Sequence, residues 1–359
     1  MTHRSLLILI AASLALVVAG CDTSDPEPNG GPNDPPRPNN LIRGFGFSPE
    51  GFPEDYSRTE AFFDEVQSLG RGSVLSNSAW RDDRDGGSDA GDVPEVAELV
   101  GTLSRARGVE PVAVFGFRSG EDLFIRVPGN EVNDWTNVDA VAAFSVMAAA
   151  FAQEFDPDVL FLGNETDFYA RQDPDGYADW TRAYRSIRAA VKQASPGTLV
   201  GTVFQVEHML GRGLYSGWNT PQTQAWTVHD AETVDVVGLT VYPYLGLADP
   251  DDIPSSYLDE ITDLVGDRPI VITETGWPAN DGDTAVPWIP GEDQQVTFAQ
   301  RLDAMIAGKN VVAAHWLFLY PATSGLPPSE LATFGSVSVR DEQGEKRPVY
   351  DFWDVFNTD

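Results

Sequence analysis

From Leu41 onward the chain repeats one theme: a short apolar run, a polar or Gly-rich turn, then a stretch with helical spacing. The runs are LIRGFGF (41–47), GSVLSNS (72–78), PVAVFGF (111–117), DVLFLGN (158–164), LVGTVFQV (199–206), VDVVGLTVY (234–242), PIVITET (269–275) and VVAAHWLFL (311–319). Short, β-branched and nearly continuous apolar runs are what strands buried on both faces look like, as in a parallel sheet. Between the runs the period changes. Tyr177, Trp180, Tyr184, Ile187 and Val191 step by three and four, which predicts one face of a helix. Residues 138–155 are alanine-rich and predict another helix. The segment between the fifth and sixth runs is the least regular, and no repeat is evident beyond the alternation itself.

Eight strand–helix units predict a single (β/α)8 TIM barrel spanning 41–359. An open doubly wound sheet is the main competitor, but it usually carries a Gly-rich phosphate loop after its first strand. Here SPEGFPEDY follows the first run and supplies no such loop. In a barrel, chemistry sits at the C-terminal ends of the strands.

Those ends carry a specific set of side chains. The fourth run ends on Asn164 and Glu165, and the seventh on Glu274, followed at once by Gly276, Trp277 and Pro278. A glutamate ending a buried strand is rarely left without a partner or a task. Two carboxylates meeting across one opening are what glycoside hydrolysis uses, one as acid and one as nucleophile or base. With period two, Gly238, Thr240 and Tyr242 share a face, so Tyr242 reaches the mouth and its hydroxyl can hold Glu274 ionised. Trp316 on the eighth run is a flat plate suited to stacking on a sugar ring. His315, which alternates with it, is expected to face the helices. Trp277 either walls the cleft or packs. Glu207 and His208, after the fifth run, are expected near the mouth, behind or against a sugar and not as acid or base.

This combination resembles glycoside hydrolase clan A, the retaining (β/α)8 glycosidases. Asn164-Glu165, Tyr242, Glu274 and Trp316 match the residues that clan carries at strands four, six, seven and eight. GNE, VYPY and ETGWP are closest to its endo-β-1,4-galactanase and β-1,3-glucanase families, and FGSVSVRDEQGEKRPVYDFW resembles the segment that closes many such barrels. The resemblance spans 41–356 and is dense only at those four strands. It implies Glu165 as general acid/base, Glu274 as nucleophile, Asn164 on the hydroxyl beside the reacting carbon, and no organic cofactor. Two departures bear on the substrate. Thr240 stands where many members have histidine, and the arginine that galactanases carry after strand two has only Trp80-Arg81 as a candidate. Galactan, β-1,3-glucan and mannan all remain open. A glycan-binding barrel without activity and a transglycosylase using the same glutamates are the rival readings.

Composition then sets the surroundings. Apolar residues make up 42% of 359, a globular composition. With 55 acidic against 23 basic residues, the net charge of −32 argues against nucleic acid, whose phosphates it repels. The acidic loop 82–92 has no ligand spacing for calcium and reads as a solvated charge run, so no metal is expected. Residues 1–20 resemble a bacterial lipoprotein signal: an apolar run from Leu6 to Ala19 is short for a membrane span, and VAGC places Cys21, the sole cysteine, where a lipid is attached. The Pro/Asn/Asp-rich stretch 21–40 then reads as a disordered tether. The expectation is an exported, lipid-anchored monomer, periplasmic or on the cell surface.

Overall fold

The computed structural model describes residues 41–69, 72–80, 91–119, 122–125, 127, 129–130, 132–229, 231–279, 286–324 and 333–353. The signal, the tether, Cys21, Arg81 and most of the acidic loop lie outside the described residues.

Eight parallel strands close into a barrel, each hydrogen-bonded to its neighbours in chain order and the eighth to the first. They are Ile42–Gly46, Gly72–Ala79, Glu110–Gly116, Val159–Leu162, Leu199–Gln205, Val236–Val241, Ile270–Thr275 and Val311–Trp316. With its surrounding helices this is a (β/α)8 barrel. The helix Val138–Phe155 forms where its alanine content predicts, with Asn137 capping the amides of Asp139 and Ala140. The helix Pro174–Ala194 buries the whole predicted stripe, from Tyr177 to Val191. Strand five is followed only by short turns of helix, Val206–Met209 and Gln224–Thr227. That is why this segment shows no helical period.

The barrel axis is filled. Leu75, Val112, Val114, Phe161, Val203 and Val271 interdigitate there, all buried. The large ring of Phe161 fits because strands five and six offer Gly201 and Gly238 beside it. A Cβ on Gly238 would meet Val203 at 2.7 Å and Phe161 at 2.9 Å.

The expected facing of strand eight is reversed. His315 points into the barrel, where its Nε2 lies 2.7 Å from Ser73 Oγ and its Nδ1 lies 3.1 Å from the carbonyl of Ile272. Since that carbonyl can only accept, Nδ1 carries the proton and Ser73 donates to Nε2. Burial lowers the His315 pKa to about 4, so the ring stays neutral. Trp316 points outward and is fully buried. Its indole donates to the Val337 carbonyl at 2.6 Å, and its ring packs on Phe298 and Trp353. Ala313, on the inner face, sets the phase that puts His315 inside.

The chain end locks onto the start of the barrel. Trp353 donates to the Gly44 carbonyl, and Arg43, buried under the Trp353 ring, pairs with Asp303. Glu65 is the hub of a second clamp. It accepts from Arg340 and from Tyr350 and Tyr320, and both rings lie beneath the Arg340 guanidinium. Glu65→Ala leaves a largely buried guanidinium without its carboxylate. It should lower the unfolding free energy by about 2–3 kcal/mol in a denaturant titration; a change within about 0.5 kcal/mol would show the clamp to be energetically idle.

Candidate active site

Strand four ends by breaking its geometry. Gly163 has φ 84°, and a Cβ there would meet Thr166 at 2.5 Å and Phe117 at 2.9 Å. Glu165 follows with φ 45° and ψ 51°, left-handed although it is not glycine, and the helix Thr166–Gln172 starts after it. Such a backbone costs about 1–2 kcal/mol and persists only where its surroundings hold it. One such restraint is the Thr240 hydroxyl, which donates to Glu165 Oε1 at 2.7 Å.

Strand seven reaches the site by a different device. Val271 faces the barrel interior, so strict alternation would send Glu274 outward. The register against strand six jumps from Leu239–Ile272 to Thr240–Glu274, an irregularity of the bulge type at Thr273. The phase inverts and Glu274 turns into the mouth. There its Oε2 accepts from the Tyr242 hydroxyl at 3.0 Å and its Oε1 from the Asn77 amide at 2.9 Å.

Both carboxylates line a cleft of about 890 Å³. Its walls are aromatic on opposite sides. Phe47, Phe52 and Phe318 follow strands one and eight, while Phe168 and Trp218 follow strands four and five. Asn164 also lines the cleft, and its buried Oδ1 accepts no hydrogen bond.

The two carboxyls are unequal. Withdrawal from water raises the Glu165 pKa to about 8. The charges of Glu274 and Asp167 add to the rise, while the Thr240 hydroxyl and the more distant Arg118 oppose it. Burial also raises Glu274, but the hydroxyl of Tyr242 and the amide of Asn77 oppose it with two direct hydrogen bonds to the anion. Tyr242 itself is pushed well above its usual value, first by burial and then by Glu274, so it remains a neutral donor.

Glu165, Glu274, Asn164 and Tyr242 therefore meet in one cleft. The other described residues singled out in the sequence do not. Trp316 lies on the helix side, and the aromatic that strand eight's end gives the cleft is Phe318. Trp277 is fully buried, its indole 3.3 Å from Gln294 Oε1. Trp80 is buried between Trp135 and Phe144. Glu207 and His208 are fully buried and do not line the cleft. Gln205 caps the short helix Val206–Met209 that carries both, and His208 stacks behind the wall residue Phe168 while its Nδ1 pairs with Asp167 at 2.5 Å.

The sequence reading misses the aromatic walls, Asn77 and Thr240. Asn77 was accessible to it, because alternation from the inward Leu75 places it inside. Thr240 was noted only as a departure from histidine. Trp218 comes from the segment with no period. Among the described residues, no group of three or more His, Cys, Asp or Glu is gathered as for a metal ion.

No protein-family model and no curated protein sequence matches the chain. Solved structures do. A GH5_18 protein from Bifidobacterium longum subsp. longum, crystallised with Manβ1-4GlcNAc, superposes with a TM-score of 0.63 at 16% identity, over 88% of this chain and 77% of that one. An exo-β-1,4-mannosidase from an Opitutaceae bacterium gives 0.62 at 17% identity, over 88% and 59%. A fungal β-1,4-galactanase gives 0.60 at 14% identity, over 88% and 98%. At such identities the shared property is the barrel fold.

The raised Glu165 pKa has a consequence for folding. The folded chain holds this proton more tightly than the unfolded chain. The stability tied to it is therefore complete below about pH 4.5 and is lost as pH rises through about 8. Glu165→Gln stays neutral throughout. Its denaturant midpoint should keep a constant offset from the parent's in acid and gain on it steadily between about pH 4.5 and 8. A constant offset across that window would mean that Glu165 titrates as an ordinary carboxyl.

Proposed function

We propose that the protein is a retaining endo-glycosidase acting on a β-linked polysaccharide of galactan or β-glucan type. One observation carries the reading: two carboxyls from strands four and seven share one cleft, the first accepting from Thr240 with its pKa raised to about 8, the second held by two donors, Tyr242 and Asn77. That asymmetry is what a double displacement asks of an acid and a nucleophile. The clan A resemblance, dense at these strands, supports it. The mannosidases and galactanases among the structural neighbours support a glycan substrate and keep β-mannans among the candidates.

In this mechanism Glu165, protonated, gives its proton to the departing glycosidic oxygen while Glu274 attacks the anomeric carbon. The glycosyl ester forms as the glycosidic bond breaks. Glu165, now a carboxylate, takes a proton from a water that attacks the same carbon and releases Glu274. Tyr242 and Asn77 aim Glu274 before attack. The open Oδ1 of Asn164 is suited to accept from the sugar hydroxyl beside the reacting carbon. The aromatic walls suit the apolar faces of sugar rings. No organic cofactor enters this chemistry.

Glu274→Ala should abolish turnover, because no glycosyl ester forms. Glu165→Ala should lower kcat on natural linkages by about 10²–10⁴-fold, spare substrates with good leaving groups, and yield a β-glycosyl azide when azide is added. A proton NMR time course should show the retained anomer first. The inverted anomer as first product would sink the mechanism even if both glutamates proved essential.

We also propose that Cys21 carries a lipid anchor, on the strength of the VAGC motif and the polar tether after it. Stable anchoring takes more than one acyl chain. Cys21→Ala should move the protein from the membrane pellet to the soluble fraction with its activity unchanged. If the variant still sediments with membranes, the anchor lies elsewhere.

A further inference from the structure

Outside the cleft lies a buried carboxylate that the reaction above does not use. Glu207 is fully buried, and three groups donate to it. The Tyr242 backbone N–H donates to Oε2 at 3.0 Å, Gln205 Nε2 to the same oxygen at 2.6 Å, and the Tyr257 hydroxyl to Oε1 at 2.9 Å. Burial raises the Glu207 pKa, and the three donors oppose that rise by favouring the ionised form. The partner that matters is Tyr242. Strand five's ladder to strand six ends with Gln205 opposite Thr240, and strand six itself ends at Val241. Tyr242 follows at φ −133° and ψ 71°, where the chain leaves the sheet for the turn Pro243–Leu245. Its N–H therefore lies beyond the ladder, and the Glu207 side chain supplies the acceptor that strand five no longer provides. The same residue sends its hydroxyl to Glu274.

We propose that Glu207 is a positioning residue for the nucleophile: it fixes the backbone of Tyr242, and through it the hydroxyl that aims Glu274. The chain of contacts extends further back. Gln205 donates from its backbone to Asp167 at 2.9 Å and accepts from the His208 backbone, and Asp167 is two residues beyond Glu165. Glu207 thus ties the turn that carries one carboxyl to the tyrosine that holds the other. Arg212 stacks on the Tyr257 ring at 4.8 Å and steadies the far end. The catalytic consequence rests on the glycosidase reading, while the geometric one stands by itself.

The test is a double-mutant cycle with an independent spectroscopic arm. Glu207→Met is close in size and removes the oxygen shared by the Tyr242 N–H and Gln205 Nε2, whereas Glu207→Gln keeps that acceptor by turning its amide nitrogen to the Tyr257 hydroxyl, which can accept. In the parent Glu207→Met should lower kcat about tenfold and leave KM within about twofold, the pattern of an interaction that matters in the transition state; Glu207→Gln should stay within about twofold of the parent. In a Tyr242→Phe background Glu207→Met should cost less than about twofold, because the route to Glu274 is already cut. In protein labelled at tyrosine Cζ, the Tyr242 resonance is the one lost in Tyr242→Phe. It should move in Glu207→Met and in Glu274→Gln. Equal losses in both backgrounds, or an unmoved resonance, would overturn the positioning role and leave Glu207 as a strut of the fold. A parent that cleaves no β-glycoside but whose Tyr242 resonance moves in Glu207→Met would sink the glycosidase reading and keep the Glu207–Tyr242 linkage.

Discussion

Two carboxyl groups withdrawn from water into one cleft repel each other when both are ionised. The mouth of this barrel answers that repulsion unevenly. Glu274 has two donors within hydrogen-bond reach, from Tyr242 and Asn77. Glu165 has the Thr240 hydroxyl, and Asp167 adds a second negative charge on its side. The donors therefore favour the charge on Glu274, and burial with two neighbouring carboxylates favours the proton on Glu165. Most of the local irregularity serves that division. The left-handed backbone at Glu165 turns its side chain toward Thr240, and the bulge at Thr273 turns Glu274 toward Tyr242.

The frame was readable before the structure because buried strands leave a coarse and redundant signal. Each of the eight apolar runs overlaps a barrel strand, and boundaries differ by only a few residues, where side chains such as Asn164 and Tyr242 leave the ladder. The position of a carboxylate at a strand end survives such errors. Glu165 and Glu274 could therefore be found from their place alone, and Tyr242 from its spacing behind Gly238 and Thr240.

What failed was phase. Alternation says that neighbours point opposite ways, but not which of them points in. On strand eight a flat ring suited to a sugar points to Trp316 as the inward residue, with His315 outward by alternation. Packing decided otherwise: the space among Phe298, Trp353 and Val337 takes an indole, and the barrel side offers Ser73 and a carbonyl to an imidazole. Glu274 enters the cleft although strict alternation from Val271 would send it outward, since a bulge depends on the partner strand. Glu207 and His208 follow a strand as mouth residues do. A cap from Gln205 winds them into a short buried helix, and that turn has no period to betray it.

Phe161 gives the molecule a property of transport as well as of packing. Its ring and its neighbours fill the barrel axis, so the two glutamates are reached from the mouth and not through the barrel. In the proposed reaction an incoming chain, the water of the second step and the severed end all cross the same aromatic threshold. A severed end that lingers on Phe168 or Trp218 occupies the route by which water arrives, and its own hydroxyl then stands where that water would. The hold of the aromatic walls on the severed end then bears on how often the intermediate meets water and how often it meets another sugar.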